Sequence, residues 1–262
     1  ISLGQFYSYE GLDKLVSVLN VDAFLDLDEE GPANASHLHK MLVHEPNFLF
    51  NYSHLAYQTY LIESSSIEVL DRLYFETYRV GMLRQVMEEM EPVVREADMV
   101  SFDISAIRSS DAPGNIKAQP FGLTGEEACQ ITWYAGLNAK LSSIGFYEYN
   151  PDFDDDSRKT ASVVATMIWY FIEGFYNRKT DGGFTSNDYL KYVVDMHDNN
   201  PATIIFFKSK LSDKWWMEVP SEKSVSIFGR NSLVPCSYAD FQTANSGEVP
   251  DRFVNAMARL SS

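Results

Sequence analysis

Between residues 15 and 176 the chain repeats one pattern, and that pattern constrains its fold more than any other feature. A short apolar run ends in polar or acidic residues, and a longer stretch with helical spacing follows. Residues 15–21, 48–58, 99–104 and 141–149 read as strands. The first is an apolar run short enough to be a buried strand, and none of the chain's apolar runs is long enough to span a membrane. Residues 65–74, 79–97, 125–137 and the stretch ending near 176 have helical spacing. Thr124 and the acids of 154–157 stand where the last two helices need caps. Val164, Ile168, Phe171, Ile172 and Phe175 mark the apolar stripe expected on the last helix. Residues 2–14 carry helix-like spacing at Leu3, Phe6, Tyr7 and Leu12, and Pro92 is expected to kink or restart its helix. Strands alternating with helices predict an α/β fold: a three-layer αβα sandwich around a mostly parallel sheet.

After residue 180 the alternation stops. Residues 203–207 and 215–219 read as paired strands and 224–228 as a third. Residues 238–260 read as a short helix, a Gly-Glu-Val-Pro turn and a last helix. We therefore expect a main unit over 1–180 and a small β/α extension over 181–262 packed on the same domain.

In parallel sheets ligands bind beyond the carboxyl ends of the strands. Three of the predicted strands end in acids: Asp22 with Asp26, then Asp103, then Glu148. Carboxylates converging on one point repel, so a cation or protons must neutralise them. The spacing alone leaves a second possibility open, that these are solvated loop acids of an acidic protein.

Four segments, in order, resemble motifs of the ureohydrolase superfamily, which comprises arginase, agmatinase and formiminoglutamase. Asp22-Ala-Phe-Leu-Asp26 resembles its Asp-Ala-His-x-Asp motif. Ser101-Phe-Asp-Ile-Ser-Ala-Ile-Arg-Ser-Ser-Asp-Ala-Pro-Gly114 resembles its Ser-x-Asp-x-Asp segment. Phe121-Gly-Leu-Thr-Gly-Glu126 resembles Gly-Gly-Leu-Thr-x-Glu. Tyr147-Glu-Tyr-Asn-Pro151, followed by Thr160-Ala161, resembles its Glu-Val-Asn-Pro and Thr-Ala pair. The likeness covers roughly residues 1–180, where residues 2–9 are similar to the helix that follows the family's first metal motif.

The resemblance implies an arginase-like fold, trimers or hexamers, and a pair of manganese ions that activates water against an amidine carbon. Asp22, Asp26 and Asp103 match metal ligands, and Glu148 matches the carboxylate that grips the substrate's guanidinium or formimino group. Phe24 and Ser105 stand where the family has a ligand histidine and a ligand aspartate. A phenyl ring cannot ligate and a neutral hydroxyl ligates poorly. The expectation is a remnant metal site with no cofactor, or manganese if any, and a protein that binds or scaffolds rather than hydrolyses. The alternative is an active formiminoglutamase- or arginase-type hydrolase of linear amidines. Glu148 could equally be a structural acceptor at a strand end. His39 lies in the loop where the family keeps a substrate-binding or proton-shuttling residue, and a solvated loop histidine is the competing reading.

A formal net charge of −16 opposes binding to nucleic acid or to an anionic membrane surface. Two distant cysteines, Cys129 and Cys236, cannot make a disulfide framework and read as buried thiols of a cytoplasmic protein. The opening at Ile1, without Met, reads as a piece of something longer, so an earlier targeting segment is not excluded. Trp215-Trp216 place one indole on each face of a strand. One face is core; the other is either core as well or an interface for a partner or a second subunit.

Overall fold

The computed structural model describes residues 2–32, 35–179, 181, 187–196, 201–220 and 233–261. Helix α1 (Ser2–Tyr7) leads into strand β1 (Val16–Val21), α2 (His37–Leu42), β2 (Leu49–Tyr57), α3 (Ser64–Arg72) and β3 (Glu76–Arg79). There follow α4 (Val80–Gln85), α5 (Met90–Glu96), β4 (Met99–Asp103), α6 (Gly125–Leu137), β5 (Ser143–Tyr147) and α7 (Lys159–Tyr176). The five strands are parallel and lie in the order β3-β2-β1-β4-β5.

The central strand β1 is buried along its whole length, as a strand covered on both faces must be. Its period of two deals side chains alternately to two cores. Val16 and Val18 pack with Phe6 of α1, Leu38 and Met41 of α2 and Leu70 of α3. Leu19 and Val21 pack on the other side with Leu83 of α4, Val94 of α5, Ile131 of α6 and Met167 of α7. The expected three-layer αβα arrangement is what forms.

Several local expectations are corrected. The stretch 79–97 is not one helix: residues 76–79 form the edge strand β3, and a 3₁₀ turn at Met87–Glu89 separates α4 from α5. Pro92 lies in the first turn of α5, where a missing N–H leaves no hydrogen bond unmade. The strand Glu-Thr-Tyr-Arg carries no apolar alternation that would reveal it. The first helix ends at Tyr7 rather than at residue 14, and Gly11 turns the chain with φ +80. Helix α2 and the strands at Tyr189–Asp195 and Leu233–Cys236 were not anticipated either.

The stripe on α7 is rotated from the expected one. Val164 and Phe171 reach the core, but Ile168, Ile172 and Phe175 are exposed, and Thr160, Met167 and Gly174 are buried instead. The rotation follows from the closest approach of α6 and α7. A Cβ on Gly174 would stand 2.5 Å from the Trp133 carbonyl oxygen and 3.0 Å from Gly136 Cα, so the two glycines must face each other. Thr124 caps α6 in a full capping box with Glu127. At α7 the cap residue itself, Arg158, has no capping side chain. Asp155 accepts from Lys159 N (2.9 Å), and Asp154 accepts from Thr160 N (3.0 Å) and Ala161 N (3.1 Å).

The extension is an antiparallel sheet of β6 (Tyr189–Asp195), β7 (Thr203–Ser209), β8 (Trp215–Glu218) and β9 (Leu233–Cys236), with helices α8 (Tyr238–Asn245) and α9 (Asp251–Ser261). The third strand expected at 224–228 lies outside the described residues. Buried arginines join the extension to the main sheet. Arg95 of α5 donates to the carbonyls of Trp215 (2.9 Å) and Cys236 (3.3 Å). Arg252 pairs with Glu76 (3.5 Å) and Asp240 (3.2 Å), and Arg259 pairs with Glu96 (3.4 Å). Trp215 stacks on Tyr192 and Phe241, while Trp216 lies under the Arg95 guanidinium, 4.4 Å from its carbon. Both faces of β8 are therefore covered within the chain at the paired tryptophans. Cys129 and Cys236 are free and buried. No helix among the described residues is long and apolar enough to cross a membrane.

Candidate functional site

The parallel register brings the carboxyl ends of β1, β4 and β5 side by side: Val21 pairs with Phe102, and Asp103 with Tyr147. The residues that follow these strands, Asp22 and Asp26, Asp103 and Glu148, thus surround one end of the sheet. Two of them leave their strands through left-handed backbone, Asp26 at φ +50 and Glu148 at φ +63. Non-glycine residues take that conformation seldom, and where they do it concentrates at functional sites.

Asp22 is 2% exposed. Its Oδ1 accepts from the Phe24 backbone N–H (3.0 Å) and from Ser105 Oγ (2.8 Å). Burial, with the charges of Asp103 and Asp26 adding to it, holds its carboxyl well above the usual carboxylate range. Asp103 accepts from Ser105 N (2.7 Å). Burial pushes it up to about 7 against the opposing bonds from Ser105, and the charges of Glu148 and Asp26 push it the same way. Ser105 thus occupies the centre of the cluster as a hydrogen-bond donor to both acids, through its hydroxyl and its backbone.

Asp26 meets an imidazole. His37, the first residue of α2, places Nδ1 3.0 Å from Asp26 Oδ2, with both side chains about nine-tenths buried. His37 Nε2 is buried with no hydrogen-bond partner among the described residues. Behind the cluster, His54 of β2 places Nε2 3.1 Å from the Asp22 carbonyl oxygen and Nδ1 2.9 Å from Tyr52 Oη. A carbonyl can only accept, so Nε2 carries the proton and Nδ1 accepts from the tyrosine. Burial pushes the His54 imidazole down to about 4.

His39 stays apart from this constellation. It lies partly exposed on α2, and its imidazole makes no hydrogen bond or ion pair among the described residues. Sequence reasoning singled out His39 and passed over His37. Only the start of α2 turns the first of the two histidines inward, and the Ser-His-Leu-His run does not announce a helix start. Glu148 is exposed at the rim, and its backbone carbonyl accepts from Asn115 Nδ2 (2.9 Å). Phe24 is half-buried, and the Lys117 ammonium lies over its ring, 5.0 Å from the centroid. The other motif residues are structural. Thr160 Oγ1 accepts from Gly114 N (2.7 Å), Asn150 caps the turn at Asp152 (2.9 Å), and Leu123 bonds back to Ala106 (2.8 Å).

Two positions of the motifs carry no strong metal ligand. A phenyl ring stands between Asp22 and Asp26, and the hydroxyl at 105 is engaged with Asp22. Among the described residues no three His, Cys, Asp or Glu side chains converge as a metal-binding group.

The fold and the acid cluster define a class, and the family comparison agrees: the arginase family model matches residues 1–173, so the chain belongs to the arginase family. Formimidoylglutamases are among its relatives. That of Staphylococcus haemolyticus is 27% identical over 172 residues, covering 61% of this chain and 53% of the relative. Those of Staphylococcus aureus strains are 22% identical over 164 residues, covering 60% and 52%. The chain thus spans about half the length of these relatives. Among solved structures, a manganese-bound formiminoglutamase of Trypanosoma cruzi superposes with a TM-score of 0.59 at 21% identity, over 68% of this chain and 62% of that one. The formimidoylglutamase of Bacillus subtilis gives 0.60 at 18%, over 68% and 58%. The arginase of Entamoeba histolytica in complex with L-ornithine gives 0.57 at 19%, over 65% and 66%. At such identities these likenesses establish the fold.

Proposed function

We propose that the acid cluster binds a small linear amidinium or guanidinium compound, and that the chain acts by binding rather than by two-manganese hydrolysis. The observation that carries this reading is the 2.8 Å bond from Ser105 Oγ to Asp22 Oδ1. A hydroxyl donor now satisfies the carboxylate that a metal pair would need, while Phe24 removes an imidazole. Glu148 keeps an exposed carboxylate for a planar cation, which a carboxylate binds in an oriented, bidentate way. The names of the relatives, formimidoylglutamases, point to a ligand of the linear amidine class. Elemental analysis of the native protein and a substrate panel test the reading. The expected outcome is manganese well below one ion per chain and no release of urea or formamide. Stoichiometric manganese with turnover overturns it.

A second reading is a formiminoglutamase- or arginase-type hydrolase that works with a single metal ion. It is favoured by the retention of Asp22, Asp26 and Asp103, and by the partnerless buried Nε2 of His37 beside them. Thermal shifts with manganese, magnesium and calcium separate the two, because a ligand that binds only the folded state raises its Tm. Flat curves leave the first reading standing. We also propose a cytoplasmic location, supported by the free buried thiols, and a homo-oligomer, which would cover exposed apolar side chains of α7 such as Trp169. Sedimentation velocity gives the oligomeric state.

A further inference from the structure

The loop after β4 carries a lysine to the rim of the acid cluster, where the binding reading above gives it no part. One buried side chain, Asn115 at 3% exposure, holds it there. Asn115 Oδ1 accepts from Lys117 N (2.6 Å), and Asn115 Nδ2 donates to the Glu148 carbonyl (2.9 Å). Gln119 Nε2 donates to the Lys117 carbonyl (2.7 Å), so the backbone of the lysine is fixed on both sides. Its ammonium lies over the Phe24 ring, 5.0 Å from the centroid.

Lys14, Lys140, Lys159, Lys208 and Lys214 each have a carboxylate oxygen within 4.0 Å. Lys117, like Lys40, Lys179, Lys191 and Lys210, has none among the described residues, and what sets it apart is that its backbone shares one clamp with Glu148. Glu148 in turn has no lysine or arginine partner there. One amide thus clamps the backbones of a carboxylate and an ammonium that do not neutralise each other. The substitution at the centre of the first motif acquires a role on this view. A phenyl ring supports an ammonium face-on, as an imidazole committed to a metal would not.

We infer that Lys117 is a specificity-determining residue that holds the carboxylate of a zwitterionic ligand, while Glu148 takes the ligand's amidinium. The Glu148 half of this inference rests on the amidinium reading above; the Lys117 half does not. An ammonium is a compact point charge suited to one carboxylate end, and the same charge repels ligands that are only cationic. The site therefore selects amidine acids over the corresponding amidines without a carboxylate.

Calorimetry on the full chain, with 4-guanidinobutyrate and butylguanidine as matched probes, tests this. The two share the guanidinium and the chain and differ in the carboxylate. We expect the wild-type protein to prefer 4-guanidinobutyrate about tenfold, the scale of one charge-assisted contact. Lys117→Met removes that preference and leaves butylguanidine binding unchanged or tighter. Lys117→Arg keeps most of it, and Glu148→Gln weakens both probes. Equal wild-type affinities, a preference that persists in Lys117→Met, or equal loss of both probes in a folded Lys117→Met protein overturns the inference. If Glu148→Gln weakens both probes while the preference survives Lys117→Met, the amidinium reading stands and the lysine assignment falls. If neither guanidinium binds but glutarate does, and only with Lys117 present, the lysine stands as an anion anchor and the amidinium reading falls. Absence of all binding removes both.

Discussion

Replacing Asp103 by Asn removes one negative charge from the cluster while keeping the acceptor for Ser105 N, 2.7 Å away. In the folded protein the Asp103 carboxyl titrates at about 7, against an ordinary value of 3.8. Its charge is therefore disfavoured by folding. The stability lost to that charge is absent below pH 3.8, grows as pH rises, and is complete above about 7. The full gap corresponds to ~4 kcal/mol, the smaller part already present at pH 5 and the larger part developing between pH 5 and 8. Asp22 shifts in the same direction and is relieved by the same substitution, so its contribution adds. Urea unfolding of wild-type and Asp103→Asn protein in EDTA, at pH 5, 6, 7 and 8, reads the difference. The variant should be the more stable of the two, by a margin that widens by about 2–3 kcal/mol across that range. Groups away from the cluster titrate alike in both proteins and cancel. A margin that stays constant with pH, or that narrows, refutes the argument that an uncompensated buried carboxyl sits at this strand end.

Further predictions follow from the same structure. His54 titrates at about 4 rather than 6.5, so stability that is full above 6.5 is lost as pH falls, by about 2 kcal/mol at pH 5; NMR should find its ring neutral, with the proton on Nε2, at pH 6. Arg252→Met leaves Glu76 and Asp240 buried without their cation and should destabilise by about 3–5 kcal/mol in chemical denaturation, and adding Glu76→Gln should recover part of the loss. Gly174→Val forces α7 off the Trp133 carbonyl and should lower stability by about 1–3 kcal/mol or more, whereas Ile168→Val on the exposed face should change it little. Restoring ligands with Phe24→His and Ser105→Asp together should raise manganese affinity at least about tenfold, read by calorimetry; no gain would mean that the strand ends cannot bring the ligands together.

Much of the main sheet was legible because burial on both faces imposes a simple code. Runs such as Val16–Val21 are mostly apolar, interrupted only by Ser17 and Asn20, and few alternatives to a buried parallel strand exist for them. The edge strand β3 was illegible for the converse reason. Glu-Thr-Tyr-Arg has a strand's geometry only because β2 offers it a ladder, and its glutamate is tolerated only because Arg252, 176 residues later, meets it. The stripe on α7 was misjudged because several apolar faces compete on that helix, and the approach of two glycines on different helices chooses between them.

For the site, the sequence alone determined which acids end which strands, and that Phe24 and Ser105 stand among them, because covalent order and strand period place residues at strand ends. Which histidine joins them was decided in three dimensions: the start of α2 delivers His37 to Asp26 and leaves His39 outside. The titration of the acids was decided there too, since a carboxyl's affinity for its proton depends on the water removed and the charges gathered around it. So was the pairing of Lys117 with Phe24 rather than with an acid, which depends on an amide two residues away and a strand end thirty-odd residues on. Chain order names the groups, whereas desolvation and distance, which only the packed fold sets, determine what those groups can do.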